Sequence, residues 1–208
     1  MKTEKQIAQN LLQIKAIKLE PTNPFTWASG WKSPIYCDNR KTLSYPEIRR
    51  YIRDEFVNLI NAKFPDVELI AGVATGAIAQ GALVADKMEL PFVYIRSSPK
   101  AHGMENLIEG DVKAGQKVVV VEDLISTGGS SLKAVDALRQ KDCNVLGMVA
   151  IFSYNFPTAM DNFTAQNCEL YTLSNYNDLI EHALETGYIK AEDVANLSEW
   201  RKDPAGWK

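Results

Sequence analysis

Apolar residues change their period along the chain. Near the N-terminus Ile7, Leu11, Leu12 and Ile14 recur at helical spacing in a polar background, which predicts an amphipathic first helix. Residues 21–44 lose that rhythm, because Pro21, Pro24, Gly30 and Pro34 interrupt short extended pieces. Ser44 stands three residues ahead of Glu47 with Pro46 between them, a capping-box pattern that opens a helix to about Lys63. Beyond it, continuous apolar runs at 69–73, 91–95, 117–121 and 145–151 read as strands. Helices fit at 77–87, 130–140 and after Phe156. Strands that are apolar on both faces and separated by helices imply an α/β fold with a mostly parallel sheet covered on both sides. Such sheets hold ligands at the carboxyl ends of their strands, so the chemistry is expected there.

Composition narrows the partners. The 208 residues are 46% hydrophobic and 24% charged, as in an ordinary globular chain, which excludes disordered, collagen-like and disulfide-stapled classes. Lys and Arg number 23 against 26 Asp and Glu, a net charge of −3, so no global basic field favours nucleic acid. Cys37, Cys143 and Cys168 are odd in number and form no CxxC, which points to small buried side chains in a reducing compartment. The polar N-terminus has no apolar signal core, and no run approaches a membrane span, so a cytoplasmic location is expected. No repeat or Gly/Ser linker divides the chain. His182 reads as an exposed helix residue, and Trp200 and Trp207 as anchors that dock the tail.

The strongest chemical signal follows the third strand: Val118-Val119-Val120-Val121-Glu122-Asp123-Leu124-Ile125-Ser126-Thr127-Gly128-Gly129-Ser130-Ser131. A buried strand ends in two acids, then a loop of glycines and hydroxyls opens a helix. Free N–H groups at a helix start attract an anion, and glycine lets a phosphate approach the backbone. The acids cannot hold that anion, which leaves them ribose hydroxyls or a magnesium ion. No Gly-Lys pair or GxGxxG offers a rival phosphate motif. After the first strand, Gly72-Val73-Ala74-Thr75-Gly76-Ala77 is equally readable as close strand–helix packing or as a second anion loop. After the second, Arg96, Lys100 and His102 stand within seven residues, in a long stretch bounded by Pro99, Gly103 and Gly110 that suggests a lid.

The acid–glycine run closely resembles the phosphoribosyl-pyrophosphate signature of the type I phosphoribosyltransferases. Lys100-Ala101-His102-Gly103 with Ile108-Glu109-Gly110, and the segment from Phe25 to Arg40, resemble the orotate phosphoribosyltransferases within that family. The resemblance covers roughly residues 20–175. It implies one domain over 1–208: a hood mainly over about 1–44, a core over about 45–175 and a helical tail over about 176–208. It also implies transfer of ribose 5-phosphate from phosphoribosyl pyrophosphate to orotate with Mg2+, in a homodimer whose catalytic loop is shared between subunits, without nucleic acid or membrane.

By the same resemblance Lys100, Asp123 and Glu122 are catalytic. Arg96, Lys100, His102 and the run Glu122, Asp123, Leu124, Ile125, Ser126, Thr127, Gly128, Gly129 and Ser130 bind phosphoribosyl pyrophosphate. Ala74, Thr75 and Gly76 form a pyrophosphate loop, and Ser126 with the backbone of Ile35 and Tyr36 meets orotate. Glu122 and Asp123 would reach the metal through water. The chain departs from many relatives in four places, one being the 72–77 loop, which lacks the basic residue often found there and leaves the work to backbone amides. Ala28 and Ser97 stand where Lys is frequent, leaving Lys32 as a substitute for the first. Tyr154 lies in the segment where an Arg is frequent for the orotate carboxylate, whose partner here has no assignment. Three rivals are a purine-specific type I enzyme, a ligand-sensing regulator that binds nucleic acid, and a nucleotide-binding module without catalysis. The hood and lid argue against the first, the lack of a basic stripe against the second, and the presence of both the loop cations and the acid pair against the third.

Overall fold

The computed structural model describes residues 2–27, 30–98 and 107–207. Helix α1 (Thr3–Gln13) buries Ile7, Ala8, Leu11 and Leu12 along one stripe. Strands β1 (Ile17–Leu19), β2 (Phe25–Thr26), β3 (Lys32–Ser33) and β4 (Ile35–Cys37) pair as two antiparallel ribbons, β1 with β4 and β2 with β3. A 3-10 helix, Asn39–Ser44, leads into α2 (Pro46–Lys63).

The expected capping box does not form, since the N-cap is Tyr45 and no side chain caps it. Pro46 is the reason: it confines the residue before it to extended backbone, and Tyr45 has φ −116 and ψ 94. Ser44 instead ends the 3-10 helix. Proline at the first helical position has no N–H that would need a cap.

The rest of the chain supplies β5 (Leu69–Val73), α3 (Ile78–Met88), β6 (Phe92–Ile95), β7 (Ile108–Glu109), β8 (Lys117–Ile125) and α4 (Gly129–Arg139), then β9 (Asn144–Ser153), α5 (Pro157–Ala165), β10 (Leu170–Asn175), α6 (Tyr176–Glu185) and α7 (Ala191–Lys202). The sheet order is β10-β9-β8-β5-β6-β7, parallel throughout except where β7 turns back along β6.

Alternate residues of the central strands serve two separate cores. Ile70, Val119, Val121, Val149 and Ile151 point to the face covered by α1, α2, α3, α6 and α7. Leu69, Ala71, Val118, Val120, Met148 and Ala150 point to the face covered by α4 and α5, through Leu132, Val135, Leu138 and Phe163. Burial on both faces explains why these strands read as unbroken apolar runs. The edge strand β10 is only half buried, so its mixed sequence Leu-Tyr-Thr-Leu-Ser-Asn carries no such run and escapes a periodicity reading.

His182 departs from expectation. It is buried, because it continues the inward stripe of Tyr176 and Leu179 on α6. Cys143 and Cys168 are buried thiols as expected, whereas Cys37 is only half-buried and opens on the cavity described below. No helix among the described residues is long and apolar enough to cross a membrane.

Trp200 is fully buried on α7, and its ring meets Trp27, Tyr154, Phe156 and Tyr176 with centroids 5.5–5.8 Å away. It thereby joins the tail, the end of β9 and the N-terminal ribbons. Trp207 is partly buried and donates its indole N–H to Asn196 Oδ1 at 3.1 Å. Trp200→Ala is expected to lower the unfolding free energy by about 3–5 kcal/mol, read from urea unfolding curves. A loss below about 1 kcal/mol would show that this ring cluster does not hold the tail.

Candidate active site

The carboxyl ends of β5, β6 and β8 open into a cavity of about 780 Å³. β5 pairs with β8 only as far as Gly72 opposite Val121, so the next two residues of β8, Glu122 and Asp123, lie where that side of the strand is free. Both line the cavity, and they are held differently.

Glu122 is 5% exposed. Its Oε2 accepts from Ser131 Oγ at 2.8 Å and its Oε1 from the Asp123 N–H at 2.8 Å. Burial pushes its carboxyl well above the usual carboxylate range, and the Asp123 charge adds to the push. Asp123 lies against the bare Cα of Gly76, and a Cβ at position 76 would overlap its carboxylate. The Asp123 carbonyl accepts from Asn39 Nδ2 at 2.6 Å. The acid pair is therefore tied to α4 through Ser131, to the loop after β5 through Gly76 and to the N-terminal segment through Asn39.

Leu124, Ser126, Thr127, Gly128 and Ser130 also line the cavity. Gly128 is the N-cap of α4 with φ +81, and a side chain there would meet Phe163 at 2.7 Å, so both conformation and space call for glycine. Asn162 Nδ2 donates to the Thr127 carbonyl at 2.9 Å and steadies the turn from outside. The loop thus presents hydroxyls and the positive end of α4 to the cavity, the arrangement that suits a phosphate. Ile125 and Gly129 are not brought to the wall. Ile125 is fully buried in the core and its carbonyl accepts the Tyr154 N–H at 3.1 Å, while Gly129 opens the first turn of α4.

Ala74, Thr75 and Gly76 form the facing wall, with a cis peptide between Ala74 and Thr75. The Ala74 N–H donates to the Ile95 carbonyl at 2.8 Å, which keeps this loop beside the end of β6. Arg96 and Ser97 line the cavity next to it. The Arg96 N–H donates to the Leu107 carbonyl at 2.8 Å, and its Nη1 lies 3.3 Å from Glu109 Oε1, so β7 anchors this cation. Lys100 and His102 lie outside the described residues, as does Ala28.

The N-terminal segment contributes residues other than those expected. Ile35 and Tyr36 do not line the cavity. Ile35 is fully buried, and its carbonyl accepts from Trp27 Nε1 at 3.1 Å and Ser33 Oγ at 2.8 Å. Cys37, Asp38 and Arg40 are the residues that reach the wall. The signal for them was the polar triplet Asp38-Asn39-Arg40 at the end of a short extended piece. Arg40 Nε donates to Asp38 Oδ1 at 2.6 Å, which holds the Asp38 carboxyl below its usual range. The Cys37 thiol donates to Asn39 Oδ1 at 3.3 Å, and burial, with Asp123 and Asp38 nearby, pushes it up and away from the thiolate. Lys32 donates to Thr26 Oγ1 at 2.8 Å and Tyr154 is buried among aromatic rings; neither lines the cavity.

Among the described residues no group of three or more His, Cys, Asp or Glu is placed to hold a metal ion. Glu122 is held by Ser131 and the Asp123 N–H, while the Asp123 carboxylate stands at the cavity wall, which suits an ion coordinated largely by substrate and water oxygens.

Comparison with known proteins agrees with this geometry. Residues 40–181 match the phosphoribosyl transferase domain family. The orotate phosphoribosyltransferase of Porphyromonas gingivalis is 64% identical over 203 residues, covering 98% of this chain and 97% of that one. The enzyme of the same name from Phocaeicola vulgatus is 62% identical over 209 residues, covering 100% and 99%. The crystal structure of orotate phosphoribosyltransferase from Aeropyrum pernix shares the fold with a TM-score of 0.77 at 24% identity, over 88% of this chain and 99% of that one. With its acid pair and glycine–hydroxyl loop at the carboxyl edge of a parallel sheet, the chain belongs to the orotate phosphoribosyltransferases of the type I phosphoribosyltransferase family.

Proposed function

We propose that the chain transfers ribose 5-phosphate from phosphoribosyl pyrophosphate to orotate, giving orotidine 5′-monophosphate and pyrophosphate, in pyrimidine nucleotide synthesis. The observation that carries this reading is one cavity holding both an acid pair and a helix-start phosphate loop, in a chain 64% identical to a relative of that name. In the reaction a bond forms between orotate N1 and ribose C1′. The C1′–oxygen bond breaks, pyrophosphate leaves with the electron pair, and the N1 proton is released.

Thr127, Gly128 and Ser130 hold the 5′-phosphate against the start of α4 and so fix the ring. Asp123 takes the ribose hydroxyls, and its charge favours the cationic ring of an oxocarbenium-like transition state. Glu122 lies beside them but is committed to Ser131 and to the Asp123 N–H, so it steadies the pair and the phosphate loop together. Ala74, Thr75 and Gly76 face the pyrophosphate with Arg96, joined by Lys100 and His102. Ser126 meets the base. Asp123 would hold a magnesium ion through water, and the ion would supply positive charge to the departing pyrophosphate. The working form is a homodimer in which the segment carrying Lys100 completes the partner's site, and its compartment is cytoplasmic, in keeping with three unpaired cysteines.

Incubation with orotate, phosphoribosyl pyrophosphate and magnesium is expected to give an EDTA-sensitive loss of orotate absorbance with equal release of pyrophosphate. Intact orotate under conditions where phosphoribosyl pyrophosphate binds would remove the base assignment. Asp123→Asn should lower kcat by two orders of magnitude or more, about 3 kcal/mol. Near-wild-type turnover would sink its role.

Glu122 also sets a pH dependence. A carboxyl whose pKa is higher folded than unfolded binds more protons in the folded state, so its contribution to stability falls as pH rises from its ordinary value of 4.5 through the raised one. Glu122→Gln removes that loss. The stability of the variant relative to wild type is therefore expected to increase between about pH 4.5 and 7, followed by urea midpoints. Parallel curves would contradict the buried, shifted carboxyl.

A further inference from the structure

Orotate is an anion because of the carboxylate on its ring carbon next to N1, the atom that joins ribose. A cation that recognises the carboxylate must therefore stand on the wall near the ribose-binding acids. Tyr154, the side chain that occupies the expected stretch of sequence, is buried among aromatic rings and does not reach the cavity.

Among the described residues three cations line the cavity: Arg40, Arg96 and Lys133. They stand on three different walls. Arg96 follows β6, faces the loop of Ala74 and Thr75, and is paired with Glu109. Lys133 lies on α4, one turn past the phosphate loop. Arg40 is on the N-terminal segment, directly after Asn39, whose amide is bonded at 2.6 Å to the carbonyl of Asp123. That bond pins the backbone beside Arg40 to the end of β8 that carries the acid pair.

We infer that Arg40 binds the carboxylate of orotate and sets the specificity of the site for a carboxylated pyrimidine; this rests on the reaction proposed above. The guanidinium is prepared for such a role. Asp38 Oδ1 accepts its Nε–H at 2.6 Å, which orients the plane and leaves the terminal N–H groups without a hydrogen bond to any described residue. Arg40 is exposed, so an incoming ligand can reach it. Two parallel N–H donors match a carboxylate in a way an ammonium does not.

The probes are orotidine 5′-monophosphate and uridine 5′-monophosphate, which differ only in this carboxylate, titrated by calorimetry into wild type, Arg40→Gln and Arg40→Lys. Wild type should bind the carboxylated nucleotide more tightly. In Arg40→Gln that preference should fall by about tenfold or more while uridine 5′-monophosphate binds within about threefold of wild type, and Arg40→Lys should restore part of it. Kinetically, the KM for orotate should rise and the KM for phosphoribosyl pyrophosphate should stay near wild type. An unchanged preference, or an equal loss for both nucleotides, would overturn the assignment. Failure of the wild-type protein to turn over orotate would instead remove the proposed reaction itself, so the two failures are separable.

Discussion

Two segments from neighbouring strands meet at the floor of the cavity with no room for a methyl group between them. The Asp123 carboxylate at the end of β8 rests on the Cα of Gly76 in the loop after β5. The rest of the site is arranged around this contact. The β5 loop can only come so close because it lacks a side chain there. Asp123 in turn is presented by a strand that runs four residues beyond its β5 partner while still paired with β9 out to Ile125. The phosphate loop then leaves from the same strand and enters α4 within four residues, so acids, phosphate loop and facing wall share one rigid origin.

A second constraint is electrostatic. Glu122 is almost wholly buried, and two protein donors satisfy its carboxylate. Holding an acid there works against the fold, because burial and the adjacent Asp123 both disfavour its charge. The return is geometric. The same carboxylate grips Ser131 in the first turn of α4 and the backbone of Asp123, so the ribose-facing acid and the phosphate loop cannot drift apart. Asp38 and Arg40 make a separate pair on the N-terminal segment beside them, where attraction is cheaper because both are reached by water.

The central sheet was legible because its strands are buried on both faces and written as unbroken apolar runs, each followed by a helical stretch. β10 was not legible, since a half-buried edge strand carries no such run, and neither was the two-residue β7. The burial of His182 is not legible from its polarity, because it follows from its place on the inward stripe of α6. At the site, the run from Glu122 to Ser130 could be read because glycines and acids at a strand–helix turn have few structural uses. In the N-terminal segment the resemblance points to Ile35 and Tyr36, whereas Cys37, Asp38 and Arg40 are the residues that line the cavity wall. Strand pairing and the Trp27 and Ser33 bonds bury Ile35, and these depend on contacts that no local pattern reveals.

The bond from Asn39 has a quieter consequence. Its amide grips the main-chain carbonyl of Asp123, not the carboxylate. Whatever side chain stands at position 123, the peptide group beneath it offers the same acceptor. The attachment of the N-terminal segment to the sheet is thus indifferent to the chemistry displayed above it. Architecture and reactivity are anchored to different atoms of one residue, which leaves selection free to remodel the acid without dismantling the cover that encloses it.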